Sequence, residues 1–514
     1  MADPQRSLEY LGIPTAATAA SAIALFTLLF VFYRLTFHPL ARYPGPFLAK
    51  CTSWYAAYQS YTGNIHLDIA RCHQKYGDIV RYRPNGLLFN NAEGLHVTKK
   101  SKGYTSFNEG GPFSIISALD KEDHAPRRRL LSQAFSVNAL QKYAPLLREK
   151  AAVFCSALMS SVDSLGQGSW GPPVNLGQLS SYFTFDVMSH VVFYTPQNLM
   201  GDETGRAIVE EIDAAMFLAG MSVEQPLTAT LPGFKRLLFR RKEKEAQAFR
   251  DKSYRFAANR VALGKEEQVH DIFANLIQDN SSAARPISTP ELAADGMVMM
   301  IAGTDTSSVA ISAALFYISR DSAVYARLAS EIREAFTAVE EIRPGPELTS
   351  CSYLRACIDE ALRLAPPVAA PLWRETKSES QVGGVVLPKG TDVATCLYSV
   401  HRNPAYFFNP DAFDPDRWMT GSHGGNKLEL SKKAFAPFSL GSRGCIGKNL
   451  AYMELSTLLA QIVYQMDFKV AEGKLGKVGV QVAEARREDY RIWSHFTSGK
   501  EGPFLQFTKR EESH

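Results

Sequence analysis

The apolar positions of this chain predict one exposed hydrophobic segment at the amino terminus and a mostly helical body behind it. No charged residue interrupts 10–33, a stretch long enough to cross a bilayer as a helix. Pro14 places the start of regular helix after itself, because its ring blocks a bond within the turn. A second apolar run, Met297 to Ile318, predicts a long buried helix. Leu131 and Phe135 continue a basic stretch at helical spacing, and a further helix is expected from Lys448 through Leu455. Strands are expected at 79–83, 87–89 and 382–387, with Gly383-Gly384 and Pro388-Lys389-Gly390 as hairpin turns. Residues 281–290, 343–350 and 421–430 carry the composition of surface loops, and no internal repeat is present.

The flanks of the apolar segment set its topology. Its short leader carries Asp3, Arg6 and Glu9, whereas Arg34, His38, Arg42 and Lys50 follow it, so the body is expected on the cytosolic side. A cleaved signal peptide is disfavoured, since the small residues from Ala16 to Ala20 precede the most apolar part, Ile23 to Phe32. The expected organisation is a leader at 1–9, a membrane anchor at 10–33, a stiff connector at 34–50 containing Pro39, Pro44, Gly45 and Pro46, and a body at 51–514. Seven cysteines without zinc-like spacing argue against a disulfide framework and for a reducing compartment. Asn280-Ser281-Ser282 fits a glycosylation sequon that a cytosolic body would leave unmodified. A net charge of +4 with no aromatic-interleaved basic stripe argues against nucleic acid as a partner.

The chemistry is concentrated in Phe438-Ser439-Leu440-Gly441-Ser442-Arg443-Gly444-Cys445-Ile446-Gly447. Its three glycines permit tight backbone geometry and close approach to a flat cofactor. A helix starting at Lys448 would aim free N–H groups at Cys445 and favour its thiolate, the metal-ligating form. A lone cysteine in a glycine-rich loop can also be plain packing. Gly447-Lys448 does not make a phosphate loop, because Ser442 stands where the first glycine belongs and Asn449 where a hydroxyl residue should follow. Within the apolar run, Ala302-Gly303-Thr304-Asp305-Thr306-Ser307 reads either as a weakened, grooved helix or as a helix-packing notch.

The Phe-x-x-Gly-x-Arg-x-Cys-x-Gly pattern at Phe438, Gly441, Arg443, Cys445 and Gly447 resembles the signature of the cytochrome P-450 family of haem-thiolate monooxygenases, and the resemblance extends over nearly all of 39–507. It implies one large, mainly α domain with small β-sheets behind a single transmembrane helix. Cys445 becomes the axial ligand of haem b, with Phe438 and Arg443 beside the cofactor. Asp305 and Thr306 match the acid and alcohol that relay protons during oxygen activation. Glu360, Arg363 and Arg417 match a buried structural network. His124 and Arg128, and with less of the motif Arg374, match positions that bind the haem propionates, with histidine standing where many members carry tryptophan.

The resemblance further implies O2 as co-substrate, NADPH supplying electrons through a separate flavoprotein reductase, cytochrome b5 as an accessory partner, and single-pass anchoring in the endoplasmic reticulum. Arg127, Arg129, Lys432, Lys433 and Lys448 would form the basic surface for an acidic reductase. Expected pocket walls are Phe107, Phe113, Ile116, Met299, Ala302, Val368, Ala369 and Leu372, which suit a lipophilic molecule. Phe37-His38-Pro39-Leu40 and the segment from Leu397 to Pro404 resemble filamentous-fungal members, many of which tailor specialised metabolites. Xenobiotic or aromatic-acid oxidation, a haem-thiolate isomerase or dehydratase, and a haem sensor stand as alternatives.

Overall fold

The computed structural model describes residues 16–510 apart from 98, 109–110, 161, 163–167, 232, 264–270, 282–285, 422–424 and 483–487. The leader, the first part of the apolar segment and the end of the sequon therefore lie outside the described residues. The site and its surroundings are built by α1 (Ala16–Thr36), α2 (Trp54–Tyr61), α3 (Lys121–Ala134), α4 (Leu176–Phe193), α5 (Ala207–Glu224), α6 (Phe234–Leu238), α7 (Thr289–Ile318), α8 (Ser352–Leu364) and α9 (Lys448–Gln465).

The helix α1 follows Pro14 and runs one turn beyond Tyr33, taking in Arg34. Its apolar side chains, Ile23, Phe26 and Leu28 among them, are exposed. The connector behind it is docked on the body. Leu40 and Tyr43 are buried with Leu87 and Phe89, and Arg81 N donates to Pro44 O at 2.7 Å. A Cβ on Gly45 would fall 2.2 Å from Arg81 O, so this close approach requires glycine. Arg81 Nη1 also donates to Arg34 O at 2.7 Å, tying the end of α1 to the same strand.

That strand is β1 (Ile79–Arg83), paired antiparallel with β2 (Gly86–Phe89). With β3 (Arg374–Glu375) and β4 (Asp392–Ala394) they form a sheet of order β1-β2-β4-β3, in which β2 and β4 run parallel. All of β2 is buried, which is why Leu87-Leu88-Phe89 shows no alternation. The strand expected at 382–387 is instead a hairpin, Ser380–Val382 with Val385–Leu387, turning on Gly383 and Gly384 at φ 54° and 77°. Two segments expected as loops carry helix, Pro346–Ser350 and Gly425–Ala434. Their polar sequences lack the apolar period that marks a helix packed on a core.

The centre of the molecule is α7, buried along most of its length and begun by Ser288, whose N–H donates to Glu291 Oε2 at 3.1 Å. It packs along α4. Gly296 and Gly303 let the two helices meet, since added Cβ atoms would lie 2.5 Å from Phe193 Cζ and 2.4 Å from Met188 Sδ. The helix is continuous through Gly303, which packs on Met188 as a notch while also lining the cavity described below.

Above α7, the hairpin β5 (Ile492–Ser494) and β6 (Ser498–Lys500) turns beside α5, where Phe496 N donates to Met216 O at 3.3 Å. The far end of α5 is tied down at Glu224, which accepts from Arg83 Nε at 3.1 Å and Trp373 Nε1 at 3.0 Å in a buried setting.

Candidate active site

The cysteine loop leaves Phe438 and closes on itself, Cys445 N donating to Phe438 O at 2.7 Å and Gly444 N to Gly441 O at 3.0 Å. Gly441 holds φ 66° and needs its missing side chain. Gly444 and Gly447 do not adopt positive φ. A Cβ on Gly444 would press on Gly441 O at 3.2 Å, whereas Gly447 has ordinary room. The helix α9 starts immediately after the loop, as expected. Burial pushes the Cys445 thiol up, while the N–H groups of Gly447 and Lys448 and the charges of Arg128 and Lys448 pull it down. The helix terminus thus acts in the expected direction but is outweighed by burial. A bound cation would complete the stabilisation of the thiolate.

Cys445 and α7 face one cavity, about 1210 Å³ with its open mouth included. Phe438 and Arg443 line it on the cysteine side, and Met299, Ala302 and Thr306 on the helix side. Ala302 is exposed in a helix otherwise mostly buried, and Thr306 Oγ1 donates back to Ala302 O at 2.5 Å. Val368 and Leu372 complete the expected walls present there. The other four expected pocket residues are not among its lining. Phe107 stacks on Tyr104 and meets Phe496 edge-on. Phe113 lies against the Arg127 guanidinium, 5.0 Å from its carbon. Ile116 O accepts from Lys100 Nζ at 2.6 Å, and Ala369 is fully buried.

Asp305 parts from Thr306. Successive helix residues point about 100° apart, so with Thr306 on the cavity wall Asp305 is buried towards Thr497 and Lys500. Burial raises its carboxyl, against the pull of the Lys500 charge and a Thr497 hydrogen bond. The acid and the alcohol are adjacent in sequence but do not share a surface.

His124 is buried and Arg128 half-buried on α3, with Arg128 Nη1 donating to Gly444 O at 2.6 Å. Arg443 donates to Ala118 O and Leu119 O at 2.7 and 2.6 Å. Arg374 is buried on β3, held by Trp373 O at 3.1 Å. Sequence reasoning missed Lys100, whose ammonium finds, among the described residues, only the carbonyls of Ile115 and Ile116 as acceptors. Burial, then the charges of Arg443 and Arg374, push Lys100 well down. Burial, then Arg443, Lys100 and Arg128, push His124 to about 3. Burial, then Arg374, lowers Arg443 to about 10. So many basic groups gathered around Arg443, which lines the cavity, fit a dianionic partner such as the propionates of haem. With a cysteine opposite an open helix face, the residues present fit that cofactor.

Arg127 is corrected. It is buried and paired with Glu291 and with Asp295 Oδ2, at 2.9 Å from the latter, so it contributes nothing to a docking surface. Arg129, Lys432, Lys433 and Lys448 are exposed.

The structural network is present. Arg363 Nε and Nη2 donate to Glu360 Oε2 and Oε1, both at 2.8 Å, and Arg417 Nε donates to Oε1 at 3.3 Å. Trp418 Nε1 and Asp414 N, neither assigned a role from sequence, add bonds of 3.0 and 2.9 Å. Burial alone would raise the Glu360 carboxyl, but Arg363 and then Arg417 outweigh it and hold it below its usual range. Glu454 of α9 was also missed. It is a buried acid lining the cavity, with Oε1 unpartnered, and burial raises it to about 8 against a Ser307 hydrogen bond. Its signal is a carboxylate between Leu450 and Leu458 on the buried face of an apolar helix.

The sequence profile of the cytochrome P-450 family matches residues 44–477. The chain belongs to the cytochrome P-450 family. Among its relatives, the cytochrome P-450 monooxygenase apf7 of Gibberella fujikuroi is 36% identical, over 94% of this chain and 96% of that protein. The cytochrome P-450 monooxygenase AKT7 of Alternaria alternata is 34% identical over 96% and 98%, and atnE of Emericella nidulans, of the same description, is 35% identical over 94% of each. This cytochrome P-450 is a monooxygenase, an oxidoreductase of haem-thiolate type that uses O2 and a redox partner, in a mainly α fold with small sheets. Its α1 is a candidate membrane anchor, with a mean hydropathy of 1.8 over Ala17–Thr36.

Proposed function

We propose that the chain inserts one oxygen atom from O2 into a lipophilic small molecule, as a tailoring step of specialised metabolism, with electrons from a separate NADPH-dependent flavoprotein reductase and cytochrome b5 as accessory donor. The observation that carries this reading is the single cavity on which Cys445, Thr306 and an apolar wall converge. Balanced, the reaction consumes RH, O2, two electrons and two protons and yields ROH and H2O. Haem, when bound through Cys445, supplies the oxygen-activating iron, its thiolate favouring O–O cleavage.

The protein's own residues do the rest. Lys100, Arg128, Arg374 and Arg443 would hold the haem propionates by charge and His124 by hydrogen bonding, and Phe438 packs beside the cysteine. Met299, Ala302, Val368 and Leu372 exclude water and hold the substrate by shape. Thr306 Oγ1 stands on the cavity wall, where it can hold and pass a proton. Asp305 stands one position away as a proton reservoir.

The anchor reading extends to a single pass in the endoplasmic reticulum with the catalytic domain cytosolic. Exposed apolar surface beyond α1 supports contact with a bilayer. Trp54 and Tyr58 of α2 and Leu237 of α6 are exposed, and the Trp54 ring meets Phe234 at 6.2 Å, joining the two helices into one patch.

The test is metabolite profiling under 18O2 in the source organism carrying the native chain or Cys445→Ala. Loss of a product bearing one heavy oxygen, with accumulation of its precursor, supports insertion. A precursor differing by two hydrogens and no oxygen would replace insertion by desaturation or coupling. Absence of reductase-dependent NADPH and O2 consumption by the purified protein would overturn the monooxygenase assignment of this site.

A further inference from the structure

The exposed apolar surface of α1 continues onto its neighbours. Arg34, in the last turn of α1, donates to Cys51 O, which closes the short helix Phe47–Cys51 with Phe47 and Leu48 exposed on it. Trp54 and Tyr58 of α2 come next, and Trp54 meets the Phe234 ring of α6 edge-on. Beyond Phe234 stand Leu237 and Leu238, with Leu237 79% exposed. Phe239 packs behind them on Tyr61 and Phe217, at 6.1 and 5.3 Å between ring centres, so the leucines are presented by a turn fixed to the body. An apolar patch of this extent marks an interaction surface.

Cations frame the far end of that patch. Residues 235–245 carry Lys235, Arg236, Arg240, Arg241, Lys242 and Lys244 against Glu243 and Glu245, an excess of +4 that equals the net charge of the whole chain. Glu245 is engaged by Arg241 Nε at 2.7 Å and by Lys242 Nζ at 3.3 Å. Arg236 and Arg240 are exposed and, among the described residues, neither has a carboxylate partner. They bracket Leu237 and Leu238, one directly before the pair and one two positions after it.

An arginine so placed lays its apolar stem along the patch and holds its charge at the edge of an apolar phase. Its planar fork pairs with phosphate in bidentate fashion. A second copy of the chain docking by the same face would bring these cations against one another, which opposes association. A layer of anionic headgroups over lipid chains matches both the charge and the leucines.

We propose that Arg236 and Arg240, bracketing Leu237 and Leu238, form a binding site for anionic phospholipid headgroups, so that the body of this protein selects lipids such as phosphatidylserine over zwitterionic ones. The leucines enter the chain region and the two guanidinium groups stay at the level of the phosphates. The inference rests on the anchor reading, because α1 is what brings this face to the bilayer surface.

Quenching of Trp54 tests it in the full-length holoenzyme, reconstituted in phosphatidylcholine vesicles that hold a minor fraction of brominated phosphatidylserine or, in parallel, of brominated phosphatidylcholine. The Trp54 signal is the part of the emission that Trp54→Phe removes. The expected ratio of the two lipid affinities is fivefold or more, each arginine at an anionic surface contributing about that factor, and it should fall as salt rises. Arg236→Gln with Arg240→Gln should bring the ratio to about one, and Arg236→Lys with Arg240→Lys should retain the preference, because the charge remains. Both arginines are exposed, so these variants keep the fold.

Equal quenching by the two lipids in a wild-type protein that resists carbonate extraction overturns the headgroup site, as does a ratio that the double glutamine variant leaves unchanged. Trp54 shielded from both lipids, in a protein that cross-links as a dimer, would assign the face to a second copy and overturn it equally. Release of the wild-type protein by carbonate would instead overturn the anchor reading.

Discussion

Arg363 grips Glu360 through two parallel hydrogen bonds of 2.8 Å each, and neither side chain has any exposure. Removing one partner of a buried pair strands the other charge and costs about 3–5 kcal/mol. Glu360→Ala is therefore expected to lose soluble, haem-loaded protein, measured as carbon monoxide spectrum per mass of membrane protein. Normal haem content in that variant would show the network to be dispensable.

The same pair sets an acid limit. The Glu360 carboxyl is held below its ordinary value by Arg363 and Arg417. Its stabilising contribution is complete above the ordinary glutamate value of about 4.3 and is lost as pH falls through the lower folded value. Unfolding followed by tryptophan fluorescence should steepen below that ordinary value, and Glu360→Gln should flatten this dependence.

Cys445→Ala removes the thiolate and should abolish both the haem-thiolate spectrum and reductase-dependent NADPH consumption. Retention of full activity would place the metal ligand elsewhere.

Thr306→Ala removes the α7 hydroxyl that bonds Ala302 O on the cavity wall. Electron flow should continue while product falls and peroxide rises, read as peroxide formed per NADPH oxidised. Tight coupling in this variant would remove Thr306 from the proton path.

Gly303→Ala puts a methyl 2.4 Å from Met188 Sδ. Overpacking of this kind costs roughly 1–3 kcal/mol, so its melting temperature should fall. The double variant Gly303→Ala with Met188→Ala should recover part of that loss. Equal stability of single and double variants would separate the two positions.

The cysteine loop, the apolar body of α7 and the Glu360 cluster were legible because each depends on residues close in sequence or fixed in pattern, whereas the first turns of α7, from Thr289, carry too few apolar positions to show in the run that begins at Met297. What the sequence left unsaid depends on direction and distance in space. Asp305 and Thr306 look like one unit in the chain, but a helix turns about 100° between neighbours and sends them to different surfaces. Arg127 looks like part of a basic face until Asp295, 168 positions away, is found against it. Lys100 carried no motif at all, and only the carbonyls of 115 and 116 and the cations around it mark its place. Gly303 left a groove and a packing notch both open, and the thioether of Met188 on another helix supplies the notch.

The hydrogen bond from Arg81 to the carbonyl of Arg34 couples the candidate anchor α1 to the body. Together with Leu40 and Tyr43 buried on the same sheet, it removes the slack that a tether of this length would otherwise have. If α1 crosses a bilayer as proposed, its tilt is handed directly to the catalytic domain, so the height and bearing of the cavity would be settled by the chain itself rather than by free rotation above the membrane.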